Sequence, residues 1–214
     1  MKIPTEPYLE QQRRWPPSSR HILAHFDDTS VVVYQAYRPE IGHYAARHQA
    51  FGGEFSFSRM SWIKPNFLWM MYRSGWGTKP GQEVTLAVRI QRAGFDQILR
   101  DAVHSSFDAA VYADHGGWQA AVARSSVRLQ WDPDHDPAGG KTERRAIQLG
   151  LRDEVLARYA RDWIVEIEDV SGFVAEQRRH AQDAASYPHL LTPREEVYPV
   201  ADAEVAARLG LGAS

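Results

Sequence analysis

Three cations spaced along a strongly aromatic stretch are the residues of this chain best suited to chemistry. Arg59, Lys64 and Arg73 fall between Phe51 and Gly77. The same window holds Trp62, Trp69 and Trp76, three of the seven tryptophans, and three of the four methionines. Guanidinium groups bind phosphate through paired N–H donors, and cations and planar bases alike pack on aromatic faces. The inventory continues on either side. Tyr37 and Arg38 close a β-branched run, Ser56 and Ser58 precede Arg59, Arg145 and Gln148 share a later extended segment, and Glu166 and Glu168 alternate in WIVEIEDV. Together they suit a ligand that carries phosphates and a planar base. The competing expectation is structural, with Arg59, Arg73 and Arg145 paired to Asp132, Glu54 or Glu166.

Other chemistries lack their residues. With no cysteine in 214 residues, disulfides, thiolate nucleophiles and cysteine-ligated zinc are excluded, and the usage fits a reducing cytosol. No P-loop, GxGxxG or HExxH pattern occurs, and no serine sits in a nucleophile elbow. His21 and His25 stand at i, i+4 without a third ligand nearby, so no metal is expected there. Asp132, Asp134, His135 and Asp136 could hold a hard cation, but DPDHDPAGGK reads first as a solvated loop of Asp-Pro turns. A formal net charge of -2 gives no field that would hold a polyanion, so a nucleic-acid site would have to be a local patch. No run of about 18 apolar residues spans a membrane and the first residues contain no apolar signal core, so a cytoplasmic location without membrane contact is expected.

The elements that must position these residues follow from periodicity. Val31 to Tyr37 is a strand, ended by Arg38-Pro39. A helix with Ile41, Tyr44, Ala45 and His48 runs on to Gly52-Gly53. Phe55 and Phe57 alternate with Ser56 and Ser58 as in a half-buried strand. Pro65 then opens a short helix, Asn66 to Ser74, closed by Gly75. That helix is apolar nearly all round, which makes Arg73 an oddity on a buried element. Val84 to Gln91 is a strand, and a helical stripe runs from Phe95 to Phe107. Gly116-Gly117 reads as a break, Val127 to Trp131 as a strand, and Arg145 to Leu149 as a short one. Asp153 is placed to cap a helix through Tyr159, Trp163 to Val170 is a strand, Phe173 to Ser186 is helical, and a last helix covers Asp202 to Leu209. Residues 1–20, polar and with Pro16-Pro17, read as an arm outside the core and as a mobile terminus; residues 21–214 read as one globular unit. Short alternating strands interleaved with helices predict an α+β domain with mainly antiparallel sheet.

Four stretches carry a family resemblance. Arg59 to Trp76 (RMSWIKPNFLWMMYRSGW), Gln130 to Pro133, Arg145 to Leu151, and Tyr34 to Gly53 resemble motifs of the domain-of-unknown-function 4291 family, over nearly the whole chain after residue 20. The resemblance implies no catalytic residues, because none are assigned in that family. The order of residues is similar, by layout alone, to ADP-ribosyltransferases, which hold NAD between two small antiparallel sheets. That layout has a basic residue ending an early strand, a serine-bearing strand before a helix, and a Glu or Gln on a later strand. On it, Arg38 and Arg59 would bind the pyrophosphate of NAD with Ser58, Lys64, Arg73 and Arg145 nearby, and Trp62 or Tyr37 would stack on a base. Gln148 or Glu168 would orient the ribose and stabilise an oxocarbenium-like transition state. The acceptor expected is a nucleic acid or nucleotide. The alternative is a non-catalytic nucleotide- or nucleic-acid-binding module in which aromatics stack bases and the cations hold phosphates. The sequence assigns no oligomeric state.

Overall fold

Of four sheets among the described residues, the two larger carry the core and meet at a backbone bridge. The computed structural model describes residues 3–211. In chain order the strands are β1 (Thr5–Pro7), β2 (Ser19–Arg20), β3 (Leu23–Ala24), β4 (Ser30–Tyr37), β5 (Ser61–Ile63), β6 (Val84–Gln91), β7 (Ala102–His104), β8 (Val127–His135), β9 (Lys141–Leu151), β10 (Ile164–Asp169), β11 (Leu191–Pro193) and β12 (Glu196–Val197). The helices are α1 (Tyr8–Arg14), α2 (Pro39–His48), α3 (Phe67–Ser74), α4 (Arg92–Asp101), α5 (His115–Arg124), α6 (Asp153–Arg161), α7 (Ser171–Ala181) and α8 (Ala203–Leu209). Of the two larger sheets, one is antiparallel in the order β10-β6-β4. The other runs β2-β9-β8-β7, with β5 on the same flank of β9 as β2. Its backbone is the β8–β9 antiparallel hairpin; β2 and β7 add parallel edges. The two smaller sheets are the pairs β1-β11 and β12-β3. This is an α+β fold with mostly antiparallel, short strands, as the interleaved alternating segments led us to expect.

The β-branched run of β4 has no solvent side. Val31 and Val33 enter the core cluster shared with β6, β8 and β9, while Val32 and Tyr34 enter a second cluster with Phe67, Leu68, Met70 and Met71 of α3. A strand covered on both faces reads as a continuous apolar run, so the one amide in it, Gln35, must find buried partners. At Tyr34 the strand also meets the end of β5. Tyr34 N–H donates to the Lys64 carbonyl at 2.7 Å and Lys64 N–H to the Tyr34 carbonyl at 3.2 Å. Residue 64 is thereby fixed at the seam between the sheets, one position before Pro65. Asn66 caps α3 by accepting from Trp69 N–H at 2.6 Å, and Gly75 closes the helix in the left-handed conformation.

Residues 3–20 are not a loose arm; Met1 and Lys2, like residues 212–214 at the other end, lie outside the described residues. Tyr8, Gln11 and Trp15 are buried, β1 pairs with the C-terminal strand β11 and β2 with β9, and β3, just beyond, pairs with β12. Gln11 donates to Thr192 Oγ1 at 2.8 Å, and Trp15 Nε1 to the Glu195 carbonyl at 2.9 Å. The Arg144 guanidinium lies 5.2 Å from the Trp15 ring and forms a buried ion pair with Asp134 at 2.7 Å. Polar composition suggested solvent, but the polar groups here are spent on a seam between the two ends of the chain. Trp15→Ala is expected to cost about 3–5 kcal/mol of unfolding free energy, the range for truncating a buried tryptophan, as read by denaturant titration.

The same C-terminal segment fastens α3. Glu195, 2 % exposed, accepts from Phe67 N–H at 2.7 Å and Asn66 Nδ2 at 3.2 Å. Burial drives its carboxyl pKa well above the ordinary value, Asp134 adds to this, and the Phe67 amide and Arg144 oppose it. A carboxyl whose pKa is raised on folding contributes stability that is complete below the unfolded-state value, near 4.5, and is lost as pH rises through the folded-state value. Glu195→Gln is therefore expected to gain on the native protein as pH rises from about 4.5 to 8. Parallel stability curves over that range would show that the carboxyl is not carrying this cost.

Several local expectations are corrected. Phe55 to Ser58 is a turn, not a strand: Phe55 N–H donates to the Gly52 carbonyl at 3.0 Å, and Phe51, Phe55 and Phe57 alternate because their rings pack together, with centroids 4.8 and 5.0 Å apart. The strand is β5, three residues on. The stripe from Phe95 ends as helix at Asp101, since Ala102 to His104 pair in parallel with β8. Gly116-Gly117 lies inside α5, whose Asp114 cap accepts from Gly117 N–H at 2.7 Å. Half of the supposed 132–141 loop is sheet. Strands run to His135 and resume at Lys141, around a turn closed by Asp136 N–H to the Gly140 carbonyl at 2.8 Å. Asp153 sits in the first turn of α6 but makes no cap hydrogen bond.

Candidate functional site

A cleft of about 890 Å³ opens where β4, the 52–60 turn, β5 and the outer face of β8–β9 meet α3. β4 ends into it with Gln35, Tyr37 and Arg38, and the turn brings Glu54 and Arg59. β5 supplies Ser61 and Trp62, its last bridge supplies Lys64, α3 supplies Arg73, and the hairpin supplies Gln130 and Gln148. Seven of the residues expected from sequence therefore come together: Tyr37, Arg38, Arg59, Trp62, Lys64, Arg73 and Gln148.

Strand alternation decides which residues of β9 reach the cleft. Gln148 stands opposite Gln130 and Gly150 opposite Arg128, on the face away from Leu129, Ile147 and Leu149. Arg145 is three positions from Gln148 and so lies on the other face. Its guanidinium donates to the Trp131 carbonyl at 3.3 Å, and it does not line the cleft. Glu168, on β10, pairs with Ala87 of β6 and lines a separate cavity of about 290 Å³ with Tyr34, Phe67 and Phe173. Ser58 is exposed in the turn, with its Oγ 3.1 Å from that of Ser56. Arg145, Glu168 and Ser58 are thus corrected out of the site.

A buried amide network builds one wall. Gln35 Nε2 lies 2.7 Å from Tyr37 Oη, 2.8 Å from Ser61 Oγ and 3.2 Å from the Trp62 carbonyl, and Tyr159 Oη donates to Gln35 Oε1 at 2.7 Å. Tyr37 Oη and Ser61 Oγ are 2.8 Å apart. Burial pushes the Tyr37 phenol far up, so it stays neutral and can donate or accept. Gln35 and Ser61 were missed from sequence. The available signal was the lone amide in VVVYQAY, which a doubly covered strand must satisfy. Opposite, Gln130 and Gln148 both donate to Asp132, at 2.8 and 2.7 Å. A carboxylate only accepts, so both amide NH₂ groups face it and both amide oxygens turn elsewhere. Gly150 keeps this floor flat: a Cβ there would stand 2.5 Å from Met60 Sδ and 3.0 Å from Trp62 Cε2.

The cations differ in how they are held. At the rim Arg38 pairs with Glu54 and, at 3.9 Å, with Glu40. Among the described residues the side chains of Arg59, Lys64 and Arg73 make neither a hydrogen bond nor an ion pair. Arg73 and its neighbour Tyr72 are exposed, which removes the difficulty of a cation on a buried helix: α3 is apolar on three sides and opens to the cleft on the fourth. Lys64 is only 5 % exposed. Burial lowers its pKa to about 8, Arg73 pushes in the same direction, and Asp132 opposes them. Three unpaired cations facing one cavity are not the pattern of structural ion pairs, in which each guanidinium would find a carboxylate.

The acidic segment expected as a solvated loop is instead tied into the fold, with Asp132 held by the two glutamines and Asp134 by Arg144. His25 Nδ1 lies 3.0 Å from the Arg194 carbonyl. Among the described residues no group of three or more His, Asp or Glu side chains is arranged to hold a metal, and no helix is long and apolar enough to cross a membrane.

Compared with known proteins, residues 21–198 match the family model described as Domain of unknown function (DUF4291), which covers most of the chain. No curated protein matches.

Proposed function

The chain belongs to the family described as a domain of unknown function, DUF4291, and from that premise we propose that its cleft binds a phosphate-bearing nucleotide. NAD is the candidate ligand, and ADP-ribosyl transfer to a nucleotide or nucleic-acid acceptor is the reaction. The observation that carries this is the convergence of Arg59, Lys64 and Arg73, none with a hydrogen bond or ion pair among the described residues, in a cleft that Tyr37 and Trp62 also line. The volume, about 890 Å³, matches a dinucleotide-sized ligand better than a flat polymer surface.

The reaction class is supported by which strands feed the cleft. Arg38 ends an early strand, Ser61 sits on the short strand before α3, and Gln148 lies on a later strand. Ser61 takes the place expected for Ser58, and Gln148 is favoured over Glu168 because, of the two, it lines the cleft. In this scheme Arg59 and Arg73 hold the pyrophosphate, and the Gln148 amide oxygen accepts from a ribose hydroxyl. The C1′–N bond breaks with its electron pair passing to the nicotinamide nitrogen. The acceptor forms the new bond to C1′, and its proton passes to Glu54, the carboxylate among the lining residues.

A second reading, binding without turnover, is favoured by one contact: Glu54 is already engaged by Arg38. Incubation with NAD, with and without RNA or DNA, separates the two. Transfer requires nicotinamide release together with a rise in melting temperature. A rise without release, steeply weakened by salt, selects the binding module. Neither effect at millimolar NAD would overturn the proposal.

A further inference from the structure

Lys64 is built differently from every other cation of the cleft. Its backbone N–H and carbonyl are both bonded to Tyr34, and Pro65 and the Asn66 cap follow at once, so the side chain has one direction to take. That direction is into the cleft, at 5 % exposure, and among the described residues its ammonium has no hydrogen bond or ion pair. Lys79, by contrast, donates to the Tyr72 and Arg73 carbonyls at 3.2 and 2.8 Å, and Lys141 stands exposed at the start of β9. A lysine wanted only for its charge gains nothing from burial, since an exposed ammonium or an arginine binds phosphate without the desolvation cost. Burial beside like charge is the arrangement that leaves an amine unprotonated and nucleophilic.

We propose that the Lys64 amine is a covalent nucleophile toward the carbonyl carbon of a phosphorylated aldehyde or ketone held in the cleft. The amine nitrogen bonds to the carbonyl carbon, the carbonyl oxygen leaves as water with the two amine protons, and an imine remains. Among the described residues the charged and titratable groups that line the cleft with Lys64 are Arg38, Glu54, Arg59, Arg73 and the neutral phenol of Tyr37, and Asp132 acts on it from β8. Arg73 and burial favour the free amine; Asp132 opposes them. ADP-ribose, whose terminal ribose opens to an aldehyde, belongs to this ligand class. The inference rests on the cleft as an anion site but not on glycosyl transfer.

The test uses the full chain with pyridoxal 5′-phosphate, a phosphorylated planar aldehyde, fixed by borohydride and mapped by peptide mass spectrometry. At pH 8 about half of an amine with pKa about 8 is unprotonated, against about 0.4 % for an ordinary lysine near 10.4. Lys64 is therefore expected to be labelled at least about tenfold faster than Lys79 or Lys141, with a midpoint near pH 8, and ADP is expected to slow its labelling. Labelling of Lys79 or Lys141 as fast as Lys64, or a Lys64 midpoint near pH 10, would overturn the proposal. If ADP binds while Lys64 stays unlabelled, the nucleophile fails and the nucleotide site stands. If Lys64 is labelled with the expected midpoint but ADP neither binds nor protects, the nucleophile stands and the nucleotide reading fails.

Discussion

Replacing Arg59 and Arg73 together with alanine is expected to weaken nucleotide binding about hundredfold while leaving the melting temperature within about 1 °C. Hydrogen bonds to charged groups contribute about 1.5–3 kcal/mol each, and the lower figure, about tenfold, suits exposed cations that water already screens. The stability half of the prediction follows from the same feature as the binding half. Among the described residues neither side chain has a hydrogen bond or ion pair to lose, and both are exposed. Arg144→Ala is the useful contrast, because it strips a buried carboxylate of its partner and a tryptophan of its cation. If Arg59→Ala or Arg73→Ala unfolded the protein as Arg144→Ala should, these arginines would be structural after all. Raising salt should weaken binding in the native protein and have much less effect in the double variant.

Lys64→Met is expected to do two things that seldom go together: to weaken nucleotide binding about tenfold and to stabilise the protein. The pKa of the amine falls from 10.5 to about 8 on burial. A base whose pKa is lowered on folding imposes a cost that is complete below the folded-state value and disappears as pH rises towards the unfolded-state value. The native protein thus carries the penalty at pH 7 and sheds it between about pH 8 and 10.5. Methionine keeps most of the stem and removes the charge, so the variant should be about 1–3 kcal/mol more stable at pH 7, with the gain gone near pH 10.5. Denaturant titrations at the two pH values check this. A variant less stable at pH 7 would mean that the ammonium supports the fold, and that its place in the cleft is incidental. Stability given up at a ligand-facing position is the usual mark of a site shaped by function.

The sequence made some of this legible and hid the rest for identifiable reasons. Pro65, Asn66 and Gly75 bracket α3 because capping chemistry is local, and their positions needed nothing from the rest of the chain. The β4 and β6 strands were equally plain, since β-branched runs declare themselves. Of the cleft, Tyr37, Arg38, Arg59, Trp62, Lys64, Arg73 and Gln148 were recognisable by residue type, but type alone could not exclude Arg145 or Glu168. Arg145 fails on strand parity, which requires knowing that β9 is one continuous strand from Lys141 to Leu151. Glu168 fails because it faces α3 and α7, a matter of which sheet face each helix covers. Phe55 and Phe57 mimicked a strand through ring packing within a turn. Trp15 and Glu195, nearly the length of the chain apart, meet through contacts that no window of sequence contains.

Arg59, Lys64 and Arg73, without side-chain partners among the described residues, either form a ligand site or they do not. Isothermal titration of the native protein and of the Arg59→Ala, Arg73→Ala double variant with ADP measures this most directly. ADP is the pyrophosphate and base that the cleft should hold whatever reaction follows. One site per chain is expected in the native protein, with affinity falling as salt rises, and a loss of about hundredfold in the variant. No binding to the native protein, or equal binding by both, would contradict it.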